Sequence, residues 1–143
     1  MISVTKIIEW DMGHRIPNHN SKCRNPHGHR YRLELTLSGP LIEEANDSSE
    51  GMVFDFGDIK KFMTEKVHDP LDHGFMIYSQ DLEMRWLRGT NWNVVIVGFI
   101  PTAENIAKWC FGQLKDCFPK GITISNVRVF ETPNCWADYN ESS

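Results

Sequence analysis

His27-Gly-His-Arg-Tyr-Arg-Leu-Glu-Leu-Thr-Leu-Ser-Gly-Pro40 alternates without a break: His27, His29, Tyr31, Leu33, Leu35 and Leu37 share one parity. Arg30, Arg32, Glu34, Thr36 and Ser38 share the other. A period of two puts successive side chains on opposite faces of a pleated strand, so this is a half-buried strand with an apolar face. Gly39-Pro40 ends it, since proline cannot donate to the ladder. Working toward the N-terminus, Ile2 to His14 repeats the pattern. Ile2, Val4, Ile8, Trp10, Met12 and His14 lie on one side, with Lys6 the exception, and Ser3, Thr5, Glu9 and Asp11 on the other.

Toward the C-terminus a polar insert, Glu43 to Gly51, reads as a loop. Asp55 then sits as an N-cap before a stripe of Phe56, Ile59, Phe62, Met63 and Val67, which predicts a helix that Pro70 stops. Leu71 to Trp92 reads as loop with a short helix, and Trp86 and Trp92 in it carry no assigned role. Asn93 to Ile100 reads as a compact apolar strand. Pro101-Thr102 opens a second helix striped by Ile106, Trp109, Cys110, Leu114 and Cys117, ended by Pro119 and Gly121. A last strand covers about Ile122 to Glu131. Strands joined sequentially by short connections imply an α+β fold: a four-stranded, mainly antiparallel sheet with two helices on one face. The length of 143 residues fits a single domain over 1–143.

Composition narrows the function. The hydrophobic content of 41% is that of a globular chain, and no apolar run is long enough to span a membrane. The start lacks the basic-then-apolar layout of a signal peptide, so a cytoplasmic protein is expected, with its four cysteines as thiols. The net charge of −4 argues against a dedicated nucleic-acid binder. Between Met12 and Leu33, however, no Asp or Glu occurs, while Arg15, Lys22, Arg24, Arg30 and Arg32 do. That stretch is either a solvated basic face or a local anion site.

Four histidines fall inside it, His14, His19, His27 and His29, and three of them share a face. His27 and His29 are two apart on a strand, so both imidazoles leave the same face, and His14 closes the preceding strand on its own apolar face. If the two strands pair as a hairpin across the Arg15–Pro26 loop, all three converge. Three neutral imidazoles and an open position describe a catalytic zinc site, with Cys23 beside it as a reactive thiol. Two other readings stay open at this point: a chance pair with a core histidine, and a closed structural site of Cys23 with the three histidines. A ligated thiolate resists alkylation until the metal leaves, whereas a free thiol does not. Cys110 and Cys117 read as core. Cys135 has no chemical argument, and His19 and His68 read as solvent-facing rather than as ligands.

Cys23-Arg-Asn-Pro-His27-Gly-His29 resembles the C-x3-H-G-H signature of the 6-carboxy-tetrahydropterin synthases, within the 6-pyruvoyl-tetrahydropterin synthase superfamily. Trp10-Asp-Met-Gly-His14, Gly51-Met-Val-Phe-Asp55-Phe56, Leu71-Asp72-His73, Pro101-Thr-Ala-Glu104-Asn105 and Phe130-Glu131-Thr132 resemble further family segments, in family order. The resemblance implies the tunnelling fold, two strands, two helices and two strands per subunit. It also implies assembly through sheet edges into a β-barrel and then a homohexamer, a dimer of trimers, with active sites between subunits. It implies Zn2+ on His14, His27 and His29, Cys23 relaying a proton, and Asp72 with His73 exchanging protons on the opposite side. Glu131 then anchors the pterin and shares in the relay. Thr102 and Glu104 are weaker pterin-pocket candidates, since both also suit a helix start.

The implied reaction converts 7,8-dihydroneopterin triphosphate to 6-carboxy-5,6,7,8-tetrahydropterin, releasing acetaldehyde and triphosphate, within 7-deazaguanine and queuosine synthesis. The basic stretch suggests Lys22, Arg24 or Arg15 for the triphosphate tail. The alternatives are the pyruvoyl-forming elimination, usually with a C-x5-H-G-H spacing, and a variant with a glutamate in place of the cysteine, for which Met12–Leu33 offers no Glu. A non-catalytic zinc- and pterin-binding assembly module is the reading outside enzymes.

Overall fold

A computed structural model describes residues 1–141. The first two strands run as read, β1 (Ile2–His14) and β2 (His27–Gly39), and pair antiparallel along their whole length, Ile2 opposite Gly39 and His14 opposite His27. This hairpin is the spine of the sheet. Its inward parity is the apolar one: Trp10 and Tyr31, directly opposed and fully buried, stack with ring centroids 5.6 Å apart.

The sheet departs from the four-stranded antiparallel one expected. It has six strands in the order β4-β3-β1-β2-β5-β6 and is mixed. β3 (Gly74–Tyr78) lies parallel to the end of β1, and β4 (Val94–Val97) parallel to β3. β5 (Thr123–Thr132) runs antiparallel to β2, and β6 (Cys135–Tyr139) returns antiparallel along β5. The region expected to be loop with a short helix therefore also supplies a strand, β3, and its short helix is the 3-10 helix Leu82–Gly89. β3 and β4, parallel neighbours in sequence, are joined by a crossover through the 3-10 helix Leu82–Gly89, as a parallel pair requires.

Helix α1 (Phe56–Met63) is capped by Asp55, whose carboxylate accepts the Gly57 N–H at 2.7 Å. Pro70 does not stop it. A π-helical turn, Thr64–His68, intervenes, and one more turn, α2 (Asp69–Leu71), follows with Pro70 inside it. A proline costs a hydrogen bond and a clash inside an α ladder, but the wider turn has already shifted that ladder. Asp72 N–H then closes on the His68 carbonyl at 2.7 Å. Helix α3 (Ala103–Leu114) stops before Cys117, and its Ile106, Ala107, Cys110 and Leu114 are buried. Both helical stretches share one core with the inward faces of β1, β2 and β5. No described helix is long and apolar enough to cross a membrane.

Candidate metal centre and its surroundings

The hairpin register puts His14 beside His27, and strand parity adds His29 on the same face. The ligand atoms of the three imidazoles lie within 4.8 Å of one another. Their ring centroids are 4.7, 5.2 and 4.8 Å apart, and Tyr31 packs edge-on against His14 and His29 as a floor.

Two backbone carbonyls decide the tautomers. His14 Nδ1 is 2.7 Å from the Pro101 carbonyl oxygen, and His27 Nδ1 is 2.6 Å from that of Asn25. A carbonyl can only accept, so each Nδ1 carries the proton, and in the neutral ring, the form that ligates, each Nε2 presents a bare lone pair. Those two Nε2 atoms face each other at 3.1 Å. Bare lone pairs at that separation repel unless a cation lies between them. Imidazoles on one tetrahedral zinc ion, at roughly 2.0–2.1 Å each, hold their nitrogens about 3.3 Å apart. The donor set and its spacing fit such an ion. Carbonyl-anchored Nδ1 groups are also what orients metal-binding imidazoles.

The electrostatics agree. His14, 1% exposed, has its pKa lowered to about 4, first by burial and then by His27 and His29, with the Pro101 hydrogen bond opposing. His29 is lowered as well, by burial and then by His27. Both imidazoles are thus kept neutral, the form that ligates. Glu131 brings an oxygen to 3.8 Å from His14 Nε2. Burial and the neighbouring Glu104 raise its pKa, and His27 pulls it back. Burial, then the charge of Glu131, pushes the Tyr31 phenol up, so it stays a neutral donor.

The remaining candidates are distributed unevenly. Cys23 is exposed, in a 3-10 turn (Lys22–Arg24) that Ser21 caps, and its sulfur is not one of the clustered ligand atoms. Asp72 and His73 form a separate group with Asp11. His73 Nδ1 donates to Asp72 Oδ2 at 2.9 Å, and Asp72 Oδ1 accepts the Asp11 N–H at 3.1 Å. The Asp11 bond, then the His73 bond, holds the Asp72 carboxyl below its ordinary range. His73 takes a left-handed φ of +60° and is 78% exposed, at the edge of a cleft of about 440 Å³ lined also by Asp11, Gly28 and Arg30. Thr102 is the N-cap of α3, accepting from Asn105 N–H at 3.2 Å, so its hydroxyl is engaged as a cap. Glu104 is exposed in the first turn.

The carbonyls of Asn25 and Pro101, the Tyr31 floor and the Asp11 link were not anticipated. Arg15, a candidate for the substrate's phosphates, is withdrawn from that role: its Nε lies 2.8 Å from Asp81 Oδ2, with Asp81 buried and Arg15 mostly covered.

Residues 3–142 match the family model described as 6-pyruvoyl tetrahydropterin synthase. The chain belongs to that family. Within the 6-pyruvoyl tetrahydropterin synthase family, a Haemophilus influenzae protein named 6-carboxy-5,6,7,8-tetrahydropterin synthase is 36% identical over 99% of this chain and 100% of its own length. A Rickettsia bellii protein of the same name is 37% identical over 96% of this chain and 99% of its own. The crystal structure of an uncharacterized protein from Wolinella succinogenes superposes with a TM-score of 0.81 at 25% identity, covering 98% of each chain.

Proposed function

We propose that this chain is a zinc-dependent 6-carboxy-5,6,7,8-tetrahydropterin synthase, acting on 7,8-dihydroneopterin triphosphate and one water, whose oxygen completes the carboxyl group, with release of acetaldehyde and triphosphate. The observation that carries the proposal is the pair of Nε2 lone pairs 3.1 Å apart, fixed by backbone carbonyls beside a half-buried glutamate. The names of the full-length relatives and the three-residue spacing from Cys23 to His27 supply the reaction.

His14, His27 and His29 would hold the zinc, which would supply Lewis-acid polarisation of the substrate side-chain hydroxyls and so acidify the neighbouring C–H. Cys23, as thiolate, takes and relays that proton. Glu131 receives the amino and ring N–H groups of the pterin, two acceptors against two donors. Asp72 holds the Nδ1–H of His73, which leaves His73 Nε2 open to exchange a proton on the opposite side. Because His73 is exposed and apart from the three histidines, it serves the site of a neighbouring copy. The copies join through the edge of β1 ahead of its pairing with β3, residues 2–11, and the outer edge of β6, into a barrel and a hexamer of stacked trimers. Lys22 and Arg24, both exposed, meet the triphosphate, and the product feeds 7-deazaguanine synthesis in the cytoplasm.

The test is turnover of dihydroneopterin triphosphate by zinc-loaded protein, with the product identified. The 6-carboxy product with acetaldehyde is expected. A pyruvoyl product, or none, refutes this assignment. Cys23→Ala should abolish turnover, and reversing Lys22 and Arg24 should raise KM about tenfold or more. Unchanged values remove those residues from the mechanism.

A further inference from the structure

The segment from Gly74 to Asn93 has its own small core, Ile77, Met84 and Leu87 with Phe75 and Val94, and grips the metal hairpin on both sides of His14. On one side, Phe75 lies against Gly13, where a Cβ would run into its ring. The backbones of Gly13 and His14 run beside Phe75 and Met76 in the parallel ladder. On the other side, Arg15 reaches Asp81 at 2.8 Å, with side chains only 11% and 2% exposed, and branches to the exposed Glu83 at 3.3 Å. Asp81 is one of three buried polar residues among those described. It is itself set by its N–H donating to the Tyr78 carbonyl at 2.9 Å. Arg15 opens the loop that carries the thiol, and the next residue, Ile16, donates its N–H to the Cys23 carbonyl at 2.8 Å. A continuous path therefore joins Asp81, Arg15, Ile16 and Cys23.

We infer that Asp81 is a positioning residue: through Arg15 it clamps the Cys23 loop at a fixed place relative to the three histidines. This rests on the reading of Cys23 as the proton-relaying thiol. A buried charge pair suits the task, since removing one partner strands the other charge and the pair has little freedom to drift. The exposed Glu83 adds a second contact to a guanidinium already held, so the buried member of the pair carries the effect.

The experiment compares zinc-loaded wild type with Asp81→Asn by amide hydrogen exchange, peptide-mapped alkylation of Cys23, metal content and steady-state kinetics. Amides of residues 16–25 should exchange about tenfold faster, while those of the paired β1 and β2 keep their protection. Alkylation of Cys23 should accelerate to a similar degree. With dihydroneopterin triphosphate, kcat should fall about tenfold or more while KM stays within about twofold and the zinc content is unchanged, since a misplaced relay group costs rate rather than binding. If Asp81→Asn does not fold, Arg15→Lys keeps the charge but replaces the fixed guanidinium contact to Asp81 with a mobile ammonium, and should shift the same readouts about threefold. A folded variant whose loop exchange and Cys23 alkylation match wild type overturns the inference. If the wild-type protein itself leaves the substrate untouched, the functional reading fails, yet exchange and alkylation still decide the clamp.

Discussion

The two histidine clusters of this molecule are built in opposite ways. His14, His27 and His29 sit in one hairpin, with two Nδ1 groups tied to carbonyls and a shared floor in Tyr31. His73 stands outside, on a left-handed backbone, held by one carboxylate. The first cluster lies within one chain and fits a cation. The second, a histidine with its Nδ1 held by Asp72, suits the half-site proposed for it. Imidazoles already oriented by carbonyls suit a metal centre, whereas a proton-exchanging group needs access.

The largest test of this contrast is removal of a member of the closed cluster. His27→Ala should lower zinc content and reduce turnover about a thousandfold, read by metal analysis and product formation. Retained stoichiometric zinc would break the three-histidine assignment.

Acid is the next largest perturbation, applied to metal-free protein. Burial keeps His14 neutral down to about 4, against an ordinary 6.5, so between those values the unfolded chain binds the proton that the folded chain refuses. Stability is therefore full above pH 6.5 and is lost as pH falls toward 4, by at most about 3 kcal/mol. Denaturant midpoints across that window measure it. His14→Gln should flatten the slope, and an unchanged slope would contradict the burial argument.

For the open cluster, Asp72→Asn keeps the shape but removes the acceptor charge behind His73. The expected outcome is a kcat loss of about thirtyfold with metal content intact. Mixing Asp72→Asn chains with Cys23→Ala chains should restore part of the activity if the two halves meet across copies. Absence of any recovery argues for a site within one chain. The smallest effect is at the border of the clusters. Glu131→Gln should raise KM about tenfold, while the metal-free fold becomes slightly more stable, because burial and Glu104 already disfavour the charge. A lower melting temperature would contradict this.

The spine of this contrast was legible in sequence because strand parity is a strict code. The alternation of β1 and β2 fixed which side His14, His27 and His29 occupy, and Asp55 and Thr102 announced their helix starts. β3 and β4 were not legible as parallel partners. Gly74–Tyr78 is a short apolar run after Pro70, and nothing local says that it will return beside β1. β6 is short and half-exposed, with only the Pro133-Asn134 turn to mark it. The carbonyls that choose the tautomers have no side-chain signature at all. The Arg15–Asp81 pair joins residues far apart in the chain, and charge counting alone read Arg15 as free for a substrate.

Whether the histidine cluster is an open centre with the thiol beside it, rather than a closed one with the thiol in it, is answered by X-ray absorption on zinc-loaded protein. Nitrogen and oxygen scatterers at about 2.0–2.1 Å and no sulfur at about 2.3 Å are expected, with Cys23 alkylated while the metal stays bound. A zinc–sulfur shell, or a Cys23 that resists alkylation until the metal is stripped, would contradict the open site and the chemistry assigned to it.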